Sequence, residues 1–383
     1  MLTYFIWNAS SEVFSTGPLT LRWNALLLII GFLGCRQLLL FIYNSEGKTS
    51  GGISSIPIYI ALAALIGGRL GKGIFFEPGS ILSKGLFTLL PIKLESGLHL
   101  LGTEEFSIHG AVIGGLFVLW LFNRKKNREQ GYLQLLDRTA VAATLFGVFF
   151  FMAGFLNTEI SGKPTGSPFG TIFTKPVVNG LMKVPCCVMS SPGGKNPLDK
   201  IEVKKDLATI RSEKSNKSIT LSLFFQLRVS DQLVNEFLVG DVKAFLYRMS
   251  KFVYEPGTEP LHFKVHQETN GRYVAVIKTE GLARYPVQVF EAIGCLVLFV
   301  FLFSYWRKHK ISMPAGRLFG FFMILFWSLH FCMGFLKEKT VSVEIGLNIL
   351  FVLGGIIVLV HSNRSNSDLK TDVGRGKDPK ISL

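Results

Sequence analysis

Charge is scarce in this sequence. Only 17% of its 383 residues are Asp, Glu, Lys or Arg, where a soluble globular chain carries about a quarter. Tyrosine is scarce as well, 9 residues against 34 Phe, a balance suited to lipid contact. Five cysteines do not make a disulfide framework. Cys35, Cys295 and Cys332 lie in apolar runs and read as small hydrophobes, and only the vicinal pair Cys186 and Cys187 lies in a polar stretch. Lys and Arg are missing from the first 21 residues, so the charged n-region of a cleavable signal peptide is not seen. What is abundant is apolar surface: 49% of residues are hydrophobic, beside a formal net charge of +15. Such a charge can mean nucleic acid. Here the basic residues cluster in short stretches between apolar runs, which is the membrane pattern and speaks against a nucleic-acid partner.

A bilayer-crossing helix takes roughly 20 mostly apolar residues. Seven stretches qualify: 19–43, 54–76, 108–122, 139–157, 286–306, 315–336 and 342–361, the third being short. The fold class expected is therefore an α-helical polytopic membrane protein with seven transmembrane helices. "NRKKNREQ" (Asn123 to Gln130), "WRKHK" (Trp306 to Lys310) and the tail residues Arg364, Lys370, Arg375, Lys377 and Lys380 then share one side. The positive-inside rule makes that side cytoplasmic, with the N-terminus out and the C-terminus in. The same parity puts 77–106 and 158–285 outside. Within the latter, "SITLSLFFQLRV" (Ser218 to Val229) has strand character, and residues 230–253 open on cap-type residues with helical apolar spacing. "LHFKVHQ", "ETNG" and "RYVAVIK" read as a hairpin. Residues 176–283 are thus expected to form a small extracytoplasmic α+β domain. It would lie between transmembrane part A (1–175, spans one to four) and part B (284–361, spans five to seven). With no metal-ligand cluster or phosphate loop in its sequence, its expected role is docking a protein partner or covering the external face. The polar basic tail, 362–383, reads as disordered and cytoplasmic.

Charged groups inside a span cost about 3 kcal/mol or more, so they commonly face an internal cavity and mark function. In "IALAALIGGRLGKGIFF", Arg69 and Lys72 fall three apart on one helix face, among Gly67, Gly68, Gly71 and Gly73. Either cation could snorkel to the interface; Arg69, the deeper one, suits a buried phosphate, and in a membrane that means a lipid headgroup. "FSIHGAVIGG" (Phe106 to Gly115) places His109 at the outer end of span three. It could cap the helix start there, or act as a base near neutral pH. "FLNTEISGKPTG" brings Asn157, Glu159 and Lys163 to the outer end of span four, and "ARYPVQVFEA" carries Arg284, Tyr285, Gln288 and Glu291 into span five. Glu291 could simply complement a helix dipole. Taken together, these residues from four spans map to the outer half of the membrane, as a polar cavity open to lipid would require.

These segments, in this order, resemble the prolipoprotein diacylglyceryl transferase family. "GPLTLRWNALLL" (Gly17 to Leu28) is similar to its opening of span one, "IGGRLG" to its glycine–arginine motif and "FSIHGAVIGG" to its histidine–glycine motif. "FLNTEISGK" and "ARYPVQVFEA" are similar to its signatures at spans four and five. The resemblance covers most of the membrane part. It implies seven spans in a bacterial cytoplasmic (inner) membrane. The reaction implied is transfer of a diacylglyceryl group from phosphatidylglycerol to the lipobox cysteine thiol of preprolipoproteins, with no cofactor and no metal. The partners implied are phosphatidylglycerol, preprolipoprotein signal peptides and membrane lipid. His109, Arg69 and Glu159 are then the catalytic candidates, with His109 as base for the thiol. Arg284, Gln288, Glu291, Asn157, Gly162 and Gly110 are the substrate-binding candidates. Departures from the pattern stand at Asn24 (a family tyrosine), Phe151 and Gly154 (a family arginine and asparagine), and Tyr285 and Phe290. In span six the family's arginine–glutamate pair falls nearest His330 and Gly334. A non-catalytic relative that binds phospholipid or signal peptides, and recruits a partner through 176–283, is the alternative reading. A transporter is disfavoured by the lack of paired half-length spans or an internal repeat.

Overall fold

The computed structural model describes residues 4–9, 12–16, 19–48, 53–78, 92–93, 99–100, 106–125, 131–157, 162–186, 194–206, 215–338 and 341–374. The chain divides into two compact units: 11–159 with 287–383, and 1–10 with 160–286.

The first unit is helical. Its long helices are α1 (Trp23–Ser45), α2 (Ile56–Gly71, prolonged by a π-helical turn Lys72–Phe76), α3 (Ile108–Lys125), α4 (Tyr132–Leu156), α5 (Val287–His309), α6 (Arg317–Gly334) and α7 (Ser342–Gly374). Among the described residues six helices are long and apolar enough to cross a membrane; α3 is the shorter apolar one. The chain is thus a polytopic α-helical membrane protein. Its core is built by residues such as Ile42, Tyr43, Leu135, Val141, Leu302 and Leu318, with α4 packed against α1, α5 and α6. Large apolar side chains also remain exposed along the helices, Phe41, Phe117, Val297 and Ile357 among them. Lipid, not water, is the medium that tolerates such a surface.

Three boundaries differ from the sequence reading. Leu19–Arg22 pairs as a strand with Glu12–Thr16, so the first helix starts at Trp23. Helix α4 starts at Tyr132, not 139, and so carries Asp137 and Arg138. Both charges are matched. The Arg138 guanidinium lies 2.7 and 2.9 Å from Glu46 Oε2, and Trp306 Nε1 donates to Glu46 Oε1 at 2.9 Å. Asp137 accepts from the backbone N–H of Gly316 and Phe319, at 2.7 and 2.9 Å, and so satisfies orphan donors at the start of α6. Finally, residues 362–374, expected to be disordered, continue α7 as helix to Gly374. Once a span has nucleated the helix, each added residue gains a hydrogen bond at little further cost.

Helices α2 and α3 meet backbone to backbone. A Cβ on Gly71 would lie 2.6 Å from Gly110 Cα, one on Gly110 would strike the Gly67 carbonyl, and one on Gly114 the Ala63 carbonyl. Ala63, Gly67 and Gly71, four apart, form one small-residue stripe, and Gly110 and Gly114 form the other. Without an apolar-versus-water driving force inside lipid, close van der Waals contact of this kind is what holds two helices together.

The second unit is α+β and reaches beyond 176–283. Its sheet contains β1 (Phe5–Trp7), β2 (Thr171–Phe173), β3 (Leu198–Lys205), β4 (Asn216–Phe225), β5 (Val253–Tyr254), β6 (Phe263–Gln267) and β7 (Tyr273–Arg284). The strand order is β1-β2-β7-β4-β3, with β5 and β6 also on β7. Parallel pairing of β1 with β2 brings residues 1–10 and 160–175 into this unit. The strand read at 218–229 is β4, and the hairpin read around "ETNG" is β6–β7. The stretch 230–253 forms Asp231–Glu236, a π-helical turn Phe237–Val242 and Lys243–Arg248, opened by Ser230 Oγ accepting from Leu233 N–H. Alternate residues of β4, Ile219, Leu221, Leu223 and Phe225, pack against Phe237 and Leu246 of that helical stretch.

Candidate active site

His109 is the second residue of α3 and is buried, 2% exposed. It is not the helix cap. Ser107 plays that part, its Oγ accepting the Gly110 N–H at 3.2 Å. The ring of His109 stacks on Trp327 of α6 at 4.5 Å between centroids, lies 5.9 Å from Phe351 of α7, and packs edge-on to His330 at 6.0 Å. Its Nε2 lies 2.8 Å from Asn348 Oδ1 on α7. Both residues are buried, so the pair is shielded from water.

His330 joins this ring to a buried ionic network. Its Nδ1 is 2.8 Å from Glu291 Oε1 on α5, and its Nε2 is 3.2 Å from Glu344 Oε1 on α7. Lys337 lies between the same carboxylates, 3.1 Å from Glu344 and 3.6 Å from Glu291. Two carboxylates, one ammonium and one imidazole thus tie α5, α6 and α7 together at one end of the helices. Buried charge is tolerated in this way only when each member has a partner.

A cavity of about 250 Å³ opens beside the network. Its polar lining is Lys72, Ser107, His109, His330, Lys337 and Glu344, with Phe76, Phe106, Ile108 and Val341 as apolar wall. The formal charges on that wall are two ammonium groups and one carboxylate, plus whatever the two rings carry. Both ammonium groups already have carboxylate partners, Lys337 in Glu344 and Glu291 and Lys72 in Glu77 at 3.6 Å, and an apolar wall makes charges there act more strongly than they would in water.

The candidate residues fall into distinct places. His109 and Glu291 share the cluster, joined through His330. Arg69 sits one turn from Lys72, its guanidinium 5.8 Å from the ring of Phe106, itself a cavity wall. Gln288 is buried in the first turn of α5, and Asn157 ends α4. Gly110 lies at the α2–α3 crossing, where its lack of a side chain is a packing requirement. Arg284 and Gly162 belong to the α+β unit. Within it, Arg284 donates to Gly162 O at 2.9 Å and Lys251 O at 3.0 Å, and a Cβ on Gly162 would strike the Tyr285 carbonyl. Glu159 lies outside the described residues. Phe151, where the family pattern has an arginine, is buried and packs 6.5 Å from His330.

Asn348 and Lys337 were not singled out from sequence, and His330 only as an alignment position. Each is one polar residue in or beside an apolar run. The available signal was the cost of an amide within span seven.

Comparison with known proteins agrees with the order of motifs. The family model for prolipoprotein diacylglyceryl transferase matches residues 11–361. A phosphatidylglycerol–prolipoprotein diacylglyceryl transferase of Tolumonas auensis is 23% identical over 94% of this chain and 98% of its own length. Its counterpart in Solidesulfovibrio magneticus is 33% identical over 45% of this chain and 61% of the relative. That of Bacteroides fragilis is 29% identical over 44% and 61%. With nearly the whole length matched, and a buried histidine at a polar cavity among apolar helices, the chain belongs to the prolipoprotein diacylglyceryl transferase family.

Proposed function

We propose that this chain moves a diacylglyceryl group from phosphatidylglycerol to the lipobox cysteine thiol of a preprolipoprotein, with His109 as general base. The observation carrying the proposal is His109 itself. It is a buried imidazole in the wall of a cavity that also presents Lys72, Lys337 and His330. A thiol is a weak nucleophile until deprotonated, so it needs a base within reach. The thiol proton passes to His109. The sulfur pair forms the C–S bond to the glyceryl carbon as that carbon's bond to the phosphate oxygen breaks. The departing glycerol phosphate keeps the bonding pair and gains one negative charge.

That growing charge calls for fixed cations in a dry site. Lys72 and Lys337 line the cavity, and Arg69 stands beside it; these three are the groups proposed to hold the phosphate. Glu291 and Glu344 keep Lys337 in place. Gln288, Asn157, Glu159 and Arg284 remain candidates for the glycerol hydroxyls and the peptide. The proposed setting is the bacterial inner membrane, with seven spans, the N-terminus out, and the α+β unit outside, where it would meet a protein partner.

The replaced motif residues favour a second reading, a relative that binds lipid or signal peptide without chemistry. Against it, the cation absent at Phe151 has a substitute nearby in His330 and Lys337. The purified protein, reconstituted in phosphatidylglycerol liposomes, is expected to convert a lipobox peptide to its thioether product. His109→Gln should lower the rate by at least about 10²-fold while the protein stays folded. An inert wild type would establish the second reading; an active His109→Gln would remove the ring from the chemistry.

A further inference from the structure

We propose that Asn348 is a positioning residue that fixes the tautomer of His109, so that Nδ1 carries the lone pair that takes the thiol proton. This rests on the transfer reading above. The contact is 2.8 Å between His109 Nε2 and Asn348 Oδ1. An amide oxygen only accepts, so the ring nitrogen facing it must donate. Neutral imidazole has a single N–H, and placing it on Nε2 leaves the lone pair on Nδ1.

Among the described residues, nothing else around the ring does this work. From α6 it meets the flat face of Trp327 and the edge of His330; from α7, Phe351; from the π-helical turn after α2, Phe76. The charged groups that share its cavity are Lys72, Lys337 and Glu344, with Glu291 reached through His330. Stacking on Trp327 fixes the plane of the ring but is indifferent to which nitrogen is protonated. The Asn348 amide is the directional partner. It is 2% exposed and is the one polar residue in the stretch Ile345 to Val360 of α7, where an amide carries a desolvation cost that some role must offset. A base held by a third group is the recurring arrangement of activated nucleophile sites.

The direct test is ¹⁵N NMR of histidine-labelled protein in nanodiscs, with the His109 signals assigned by their loss in His109→Gln. A neutral ring protonated at Nε2 in the wild type is the expected result. A ring protonated at Nδ1, or at both nitrogens, near neutral pH overturns the proposal without any variant having to fold. In Asn348→Leu the ring should populate the other tautomer. Then kcat should fall about 10- to 100-fold, the scale seen when the partner that orients a metal-bound histidine is lost, with KM for phosphatidylglycerol unchanged. Asn348→Asp keeps an acceptor oxygen and should restore both the tautomer and most of kcat. If Asn348→Leu keeps the wild-type tautomer and kcat, the amide is only a packing group. If no form of the protein transfers lipid, the transfer reading fails while the tautomer measurement still decides the role of Asn348.

Discussion

Lys337 is where the charge balance of the cavity turns. Its ammonium sits 3.1 and 3.6 Å from Glu344 and Glu291, and it is one of two ammonium groups on the cavity wall. If it stabilises the departing phosphate, Lys337→Met should lower kcat by about 10²-fold, the scale for removing one stabilising group from developing charge. Lys337→Arg keeps the charge and should retain most of the rate. Both are measured by conversion of a lipobox peptide in phosphatidylglycerol liposomes, with the thermal midpoint as a check on folding. Lys337→Met with an unchanged rate would shift the phosphate to Arg69 and Lys72. Some of this cluster was legible from sequence. His109 announced itself by standing beside glycines at the mouth of an apolar run, and Glu291 by its place in a polar helix start. His330, Lys337 and Asn348 did not, because their meaning lies in a contact among α3, α5, α6 and α7 that no local pattern encodes. Gly110 was legible as a motif residue, but its packing was not: the sequence shows a glycine beside a histidine, while a Cβ there would meet Gly67 and Gly71.

At the scale of elements, that contact gives a sharp contrast between two glycines of α3. A Cβ on Gly110 would press into the backbone of α2, which cannot turn aside as a side chain can. A Cβ on Gly115 would meet only Ile60 Cγ2, at 3.9 Å. Gly110→Ala should therefore destabilise the protein by about 1–3 kcal/mol, as overpacking does, and Gly115→Ala should leave the thermal midpoint in detergent unchanged. Equal midpoints for the two variants would show that α2 and α3 are not held by this crossing, and a loss of rate in Gly110→Ala at full stability would return Gly110 to the substrate site. The helices themselves were readable because twenty apolar residues in a row have few other folds open to them. Their ends were less so. The start of α4 was hidden by Asp137 and Arg138, charges that look like a loop until Glu46, Trp306 and the start of α6 are seen to satisfy them. The α+β boundary was hidden by β1, a three-residue strand far in sequence from its partner β2.

For the whole molecule, the decisive quantity is orientation. The buried cluster of His109, Glu291, His330 and Glu344 brings together the starts of α3, α5 and α7 and the last turn of α6. The basic stretches Asn123 to Gln130 and Trp306 to Lys310 begin in the last turns of α3 and α5, at their opposite ends. Positive charge is retained in the cytoplasm, so the cluster should face outward. Two full-length fusions test this. Green fluorescent protein on the C-terminus should fluoresce and alkaline phosphatase there should be inactive. Alkaline phosphatase inserted between Thr269 and Asn270, in the exposed turn joining β6 to β7, should be active. The reverse pair of results would put the cavity on the cytoplasmic side, and activity at both sites would mean an even number of crossings between them. In that case one of α5, α6 and α7, the helices between the two sites, would not cross the membrane.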